Sequence, residues 1–190
     1  MANFIGLYDN ALSDEECALL ISEFDKSDTV DGGYNRNGEY LINHSTKKCR
    51  QLDLFFSKED TFSKIIYPAL GRCMKKYTED KPSLDHISYW RFLDNYAFQR
   101  YEDETDGYKE WHTEHGSGFN SLRIIAWMFY LNDAKCGTEF MHYPTIPPKK
   151  GLCAIWPAGW EYVHRGVTPN IGLKYIVTGW VSFTEDQSGL

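Results

Sequence analysis

The run Gly151-Leu152-Cys153-Ala154-Ile155-Trp156, the run Glu161-Tyr162-Val163-His164-Arg165-Gly166-Val167 and the run Lys174-Tyr175-Ile176-Val177-Thr178-Gly179-Trp180-Val181-Ser182-Phe183 decide the fold class. Each is rich in β-branched and aromatic residues, and Pro157-Ala158-Gly159 and Pro169 to Gly172 separate them. Such runs fenced by Pro and Gly read as short strands joined by turns. The same signature extends upstream to residues 87–93, 97–101, 110–114, 122–130 and 137–142, with turns at Asp106-Gly107, Asn132-Asp133 and Pro147-Pro148. Eight short strands at this spacing predict a sandwich, barrel or jelly roll. An aromatic share of 16 % fits a β-rich chain.

The N-terminal part reads differently. Ser13-Asp14-Glu15-Glu16 is a capping box, followed by an apolar stripe of Ala18, Leu19, Ile21 and Phe24 with Leu20 beside it. Residues 27–48 are polar and carry Asp31-Gly32-Gly33 and Asn37-Gly38, which predicts a long loop or loose hairpin. Loops of that length in compact domains often act as lids or binding loops. Residues 51–56 read as a strand. Ser57 opens a second helix that Pro68 and Gly71 are expected to bend or divide. The expectation is one domain over 1–190, with a helical support region over 1–85, a β core over 86–183 and a polar tail after Thr184.

The 190 residues carry a net charge of -7, which argues against a general binder of nucleic-acid backbones. No run of about 18 apolar residues occurs and the first residues lack a secretory pattern, so a cytoplasmic protein without membrane or nucleic-acid partners is expected. Cys17, Cys49, Cys73, Cys136 and Cys153 are scattered and odd in number. They predict free thiols rather than a disulfide framework or a cysteine zinc site.

Trp111-His112-Thr113-Glu114-His115 is chemically the richest segment. On a strand, residues i and i+2 share a face, so an imidazole nitrogen of His112 and a carboxylate oxygen of Glu114 would project together. One more histidine would complete a two-histidine, one-carboxylate set, which leaves open positions on Fe(II). His115, His142 and His164 are the candidates for it. Taken alone, one H-x-[DE] is about what this composition gives by chance.

The ordered set is more specific. His112-Thr113-Glu114 is followed, 50 positions after Glu114, by His164, then by Val167, Pro169, Lys174 and Trp180. Gln99-Arg100-Tyr101 precedes it, and Phe129-Tyr130-Leu131-Asn132, Gly137-Thr138-Glu139-Phe140, Pro148-Lys149-Lys150-Gly151 and Ile155-Trp156-Pro157 follow in order. Over nearly its whole length the chain resembles the Fe(II)/2-oxoglutarate-dependent oxygenases, and within them the prolyl 4-hydroxylase-like branch. It departs at Glu114, where that family usually has Asp.

The resemblance implies an α+β, mainly β fold: a double-stranded β-helix (jelly-roll) core with N-terminal supporting helices. It implies Fe(II) held by His112, Glu114 and His164. It implies 2-oxoglutarate, with Lys174 on its distal carboxylate and Tyr101, Tyr130 and Thr178 as further contacts, and it implies O2. Arg123 would support the ligand carboxylate, Trp180 would line the substrate side, and ascorbate binding is a further expectation. The implied reaction hydroxylates an unactivated C–H, with peptidyl proline at C4 as the expected substrate of a monomer or weak dimer. The tyrosine-rich residues 34–40 and residues 103–109 would close over that peptide. A free amino acid, another small metabolite or a nucleobase is the alternative substrate, and a jelly-roll metal-binding protein without redox chemistry is the alternative class.

Overall fold

In the computed structural model residues 3–36 and 39–185 are described, so the expected Asn37-Gly38 turn and the polar tail at 186–190 lie outside the described residues. In chain order the elements are β1 (Gly6–Tyr8), α1 (Asp14–Lys26), β2 (Val30–Asp31), β3 (Tyr34–Arg36), β4 (Glu39–Leu41), β5 (Lys47–Lys48) and β6 (Arg50–Phe55). They continue with α2 (Thr61–Asp80), β7 (Trp90–Tyr101), β8 (Gly107–Tyr108), β9 (Arg123–Tyr130), β10 (Thr138–Phe140), β11 (Cys153–Pro157), β12 (His164–Gly166) and β13 (Lys174–Phe183).

One large antiparallel sheet runs β1-β11-β9-β13-β7-β6-β2. Against it lie the short pairs β10–β12, β3–β4 and β5–β8, together with single bridges between His112 and His164 and between Thr138 and Ile146. This is the double-stranded β-helix expected from the sequence, with helices on its outer face. The strand period of two sorts side chains between the two layers. Tyr96, Phe98, Ile125, Trp127, Phe129, Ile155, Tyr175 and Val177 pack with Leu20 and Phe24 of α1 and Ile66, Leu70 and Met74 of α2. Their alternating neighbours Ala126, Met128, Tyr130, Ala154, Trp156 and Ile176 face inward, against Phe140 and Ile146 of the smaller layer. The polar site is built on that inner face.

Two glycines mark close approaches. A Cβ on Gly179 would lie 2.3 Å from Cζ2 of Trp127, and one on Gly137 would lie 1.9 Å from the carbonyl oxygen of Ile146. Only glycine lets the Trp127 ring lie over β13 and lets β10 meet the 146 segment.

The capping box forms as read: Ser13 Oγ accepts from Glu16 N at 3.1 Å and Glu16 Oε2 accepts from Ser13 N at 2.8 Å. Such a cap contributes about 1 kcal/mol. Other expectations are corrected. The strands expected at 87–93 and 97–101 are one strand, Trp90–Tyr101, because pairing with β6 and β13 carries β7 through Asp94-Asn95. The helix expected from Ser57 starts after Asp60, whose carboxylate accepts from Ser63 N at 2.8 Å. It then runs unbroken through Pro68 and Gly71 to Asp80. The support region over 1–85 is not only helical, since β1, β2 and β6 join the large sheet. Among the described residues of 27–48 are β2, the β3–β4 pair and β5. Residues 110–114 form no strand, because the Thr113 hydroxyl bonds the carbonyl of His115 and only His112 enters a bridge. Residues 160–162 are a 3-10 turn that leads into the short β12. All five cysteines are free and buried. Among the described residues, no helix is long and apolar enough to cross a membrane.

Candidate active site

His112 and His164 face each other across an antiparallel bridge, exchanging N–H···O bonds of 3.0 and 2.9 Å. Opposed residues of such a pair carry their side chains on one face, so the bridge itself brings the two imidazoles together. Their ring centroids are 4.4 Å apart. Each Nδ1 lies against a backbone carbonyl two residues upstream, Glu110 at 3.0 Å and Tyr162 at 2.9 Å. A carbonyl only accepts, so both Nδ1 atoms carry the proton and both Nε2 atoms keep a lone pair. Oε1 of Glu114 lies 3.9 Å from Nε2 of His112 and 3.4 Å from Nε2 of His164. One donor atom from each of the three residues falls within 4.8 Å of the others. Two imidazole nitrogens and one carboxylate oxygen so disposed fit a divalent transition metal such as Fe(II). His115, by contrast, is exposed with its ring against the carbonyl of Arg123, and His142 is exposed on the surface, so neither joins the cluster.

Protonation suits ligation. Burial, then the neighbouring His164, pushes the His112 imidazole down to about 3, so it is neutral at ordinary pH. Burial opposes ionisation of Glu114. The facing imidazoles of His164 and His112 and the Arg123 guanidinium outweigh it and hold the carboxyl well below the usual carboxylate range. The second oxygen of Glu114 is held from behind. Oε2 accepts from Nε1 of Trp180 at 2.7 Å and lies 3.6 Å from the Arg123 guanidinium, which stacks on the Trp180 ring at 3.6 Å. Arg123, expected to support the ligand carboxylate, lies beside Glu114. Trp180 is not only a lining residue but a donor to the candidate ligand.

These residues line a cavity of about 400 Å³ together with Tyr101, Tyr130, Lys174 and Thr178. Lys174 is 4 % exposed. Its Nζ donates to the carbonyl of Cys136 at 2.9 Å and sits 4.7 Å from the centre of the Tyr101 ring. No carboxylate among the described residues pairs with it, and burial pushes its pKa down to about 8. The three hydroxyls are engaged within the protein: Tyr101 with Gln99 Oε1 at 2.7 Å, Tyr130 with Thr138 Oγ1 at 2.6 Å, and Thr178 with the carbonyl of Trp127 at 2.9 Å.

The sequence reading missed two residues. Tyr108 stacks on His112 with centroids 3.6 Å apart and planes at 11°, which fixes the ring. Lys47 is a second buried lysine on the same cavity. No local pattern marks either one.

Fold and site together define a class: a jelly roll whose inner face carries a His-x-carboxylate pair, a distant second histidine and a buried unpaired cation. Residues 96–182 match the family model of the 2OG-Fe(II) oxygenase superfamily. The chain is a 2-oxoglutarate-dependent dioxygenase that uses Fe(II), 2-oxoglutarate and O2. No curated protein sequence matches it. Among solved structures it is similar to the viral collagen prolyl hydroxylase of Paramecium Bursaria Chlorella virus-1 in complex with 2OG (21 % identity, TM-score 0.68, covering 96 % of this chain and 98 % of that one). It is similar to a Pseudomonas putida prolyl-4-hydroxylase (11 % identity, TM-score 0.70, covering 95 % and 94 %). It is also similar to the alpha ketoglutarate dependent carbocyclase SnoK from nogalamycin biosynthesis (9 % identity, TM-score 0.67, covering 95 % and 80 %). At these identities the likeness is one of fold.

Proposed function

We propose that the chain, acting as one catalytic domain, hydroxylates a proline-bearing substrate, with His112, Glu114 and His164 as the Fe(II) ligands and Lys174 as the partner of the distal carboxylate of 2-oxoglutarate. The observation that carries this reading is Lys174: a buried cation with no anion, in the same cavity as a preorganised two-nitrogen, one-oxygen donor set. A buried ammonium is costly unless an anion joins it, and a dicarboxylate that chelates the metal with one end brings the other. Similarity to two prolyl hydroxylases supports proline as the substrate.

Bound Fe(II) and 2-oxoglutarate supply O2-dependent oxidative decarboxylation to succinate and CO2, coupled to hydroxylation of a C–H. The chain's own residues do the rest. The Nδ1 bonds to Glu110 and Tyr162 aim two lone pairs at one point. Trp180 and Arg123 fix the Glu114 rotamer, and Tyr108 holds the His112 ring. The Tyr101 ring shields the Lys174 ammonium from water and positions it. Tyr130 and Thr138, bonded to each other on the wall, give 2-oxoglutarate a polar surface to lie against.

The test is an anaerobic titration of Fe(II) and 2-oxoglutarate, read by the charge-transfer absorption of the chelate, followed by mass spectrometry of a proline-rich peptide after O2 is admitted. A band in the wild type, lost in His164→Ala, and a +16 Da peptide are expected. Absence of the band in iron-loaded protein overturns the ligand assignment. Succinate without a +16 Da product removes peptidyl proline.

A further inference from the structure

The roles assigned above leave Lys47 without a task. It sits on β5, is 5 % exposed, and lines the cavity that holds His112, Glu114 and His164. Its Nζ donates to the carbonyl of Gly33 at 2.7 Å and to Oε1 of Gln51 at 2.9 Å. That Gln51 oxygen also accepts from Nε2 of Gln99 at 3.0 Å, so it is shared as well as neutral. An ammonium has three N–H groups, and these two acceptors leave one. Among the described residues, no carboxylate pairs with Lys47. Burial pushes its pKa down, against the smaller opposing pull of Cys49, Asp53 and Glu114.

Lys47 also faces the reacting region. Its Nζ lies 5.7 Å from the centre of the Tyr108 ring, and that ring stacks directly on His112. Lys174 cannot share its anion. Lys174 is on β13, whereas Lys47 is tied to Gln51 on β6, two strands away across β7. Two strand spacings are about 10 Å, and Gln51, Gln99 and Tyr101, hydrogen-bonded in series at 3.0 and 2.7 Å, stand between the two ammoniums, so one carboxylate does not serve both. One end of 2-oxoglutarate goes to the metal and the other to Lys174, so co-substrate offers Lys47 nothing. The anion that belongs there must arrive with the primary substrate.

We infer that Lys47 binds a carboxylate of the primary substrate, which makes that substrate a free or C-terminal amino acid rather than the interior of a longer peptide. This rests on the hydroxylase reading above and narrows it. Asp53 lies on the same wing of the cavity and accepts from Nε2 of Gln51 at 2.6 Å. A cation and an anion joined through one glutamine match the two charges of a free amino acid.

The test uses the anaerobic Fe(II)·2-oxoglutarate enzyme and three matched pairs: L-proline and L-prolinamide, Gly-Gly-Pro and its C-terminal amide, L-leucine and L-leucinamide. Binding is read by the shift of the chelate absorption band. In at least one pair the acid is expected to bind tenfold or more tightly than its amide, and in Lys47→Met that ratio falls below twofold. The Kd of 2-oxoglutarate, raised by Lys174→Met and changed less than twofold by Lys47→Met, separates the two lysines. Preference for L-proline over Gly-Gly-Pro identifies a free amino acid, and the reverse a chain end. Ratios near one in all three wild-type pairs, or no binding at all, overturn the inference without any variant, as does a preference that survives in Lys47→Met. Products after O2 is admitted keep the two readings apart. Acid preference without a +16 Da proline sinks the proline reading and keeps Lys47. Equal hydroxylation of each proline acid and its amide keeps the proline reading and sinks Lys47.

Discussion

Replacing Lys174 by Met tests the co-substrate site most directly. Met fills nearly the same volume and removes the charge. In the protein without 2-oxoglutarate the ammonium has one hydrogen bond, to the carbonyl of Cys136 at 2.9 Å, and the face of Tyr101 at 4.7 Å. Burial holds its pKa at about 8 instead of 10.5, which sets about 3 kcal/mol against the charged form at neutral pH. A carboxylate arriving from 2-oxoglutarate offsets that cost. Loss of one partner of a buried charge pair weakens binding by about 2–5 kcal/mol, or roughly 30- to 5,000-fold in Kd. The folded protein without co-substrate is freed of an uncompensated charge, so its melting temperature stays level or rises. Affinity and stability are therefore expected to move in opposite directions. Anaerobic titration of the chelate absorption gives the first and differential scanning calorimetry the second. A folded, iron-loaded Lys174→Met enzyme that binds 2-oxoglutarate within twofold of wild type refutes the assignment.

Other outcomes follow from the same geometry. Lys174 has its pKa lowered to about 8, so it is an ammonium below that pH and a neutral amine above it. The KM for 2-oxoglutarate is expected to rise about tenfold per pH unit above pH 8, since only the charged form pairs with a carboxylate; a flat profile there would count against it. Trp180→Phe keeps a ring over Arg123 but removes the 2.7 Å bond to Oε2 of Glu114. Fe(II) affinity is expected to weaken about 10- to 100-fold, measured by competition with a colorimetric chelator. Glu114→Asp withdraws the carboxylate by one methylene and breaks the same bond, with a similar loss of iron affinity in the same assay. Gly179→Ala drives a Cβ to 2.3 Å from the Trp127 ring and is expected to lower stability by about 1–3 kcal/mol in urea titration, leaving metal affinity intact.

Glu114 shows why the proposed metal site was legible in the sequence and its surroundings were not. Iron and 2-oxoglutarate dictate residue types, so His112, Glu114, His164 and Lys174 stand out in order, and all four line one cavity. The local route to them was misread. His112 and Glu114 do not share the face of a strand, since the imidazoles meet through a bridge between residues 52 positions apart. Lys47 and Lys48 show the same limit. They are adjacent and identical in type, yet Lys47 is buried on the cavity while Lys48 pairs with Asp103 and Asp106 outside it. Pairing of β5 with β8, some 60 residues away, decides which lysine faces in, and no local pattern encodes that choice. The carboxylate that departs from the family's usual Asp is explained at the same distance. A longer side chain has more rotamers to fix, and Trp180, 66 residues along the chain, fixes them with the nearer Arg123 by holding Oε2 while Oε1 faces the histidines. Glu114 and Trp180 are therefore one unit. If they are, Glu114→Asp and Trp180→Phe combined weaken iron binding no more than the stronger single change, because both remove the same bond. Additive losses would show that Trp180 acts on the site by some other contact.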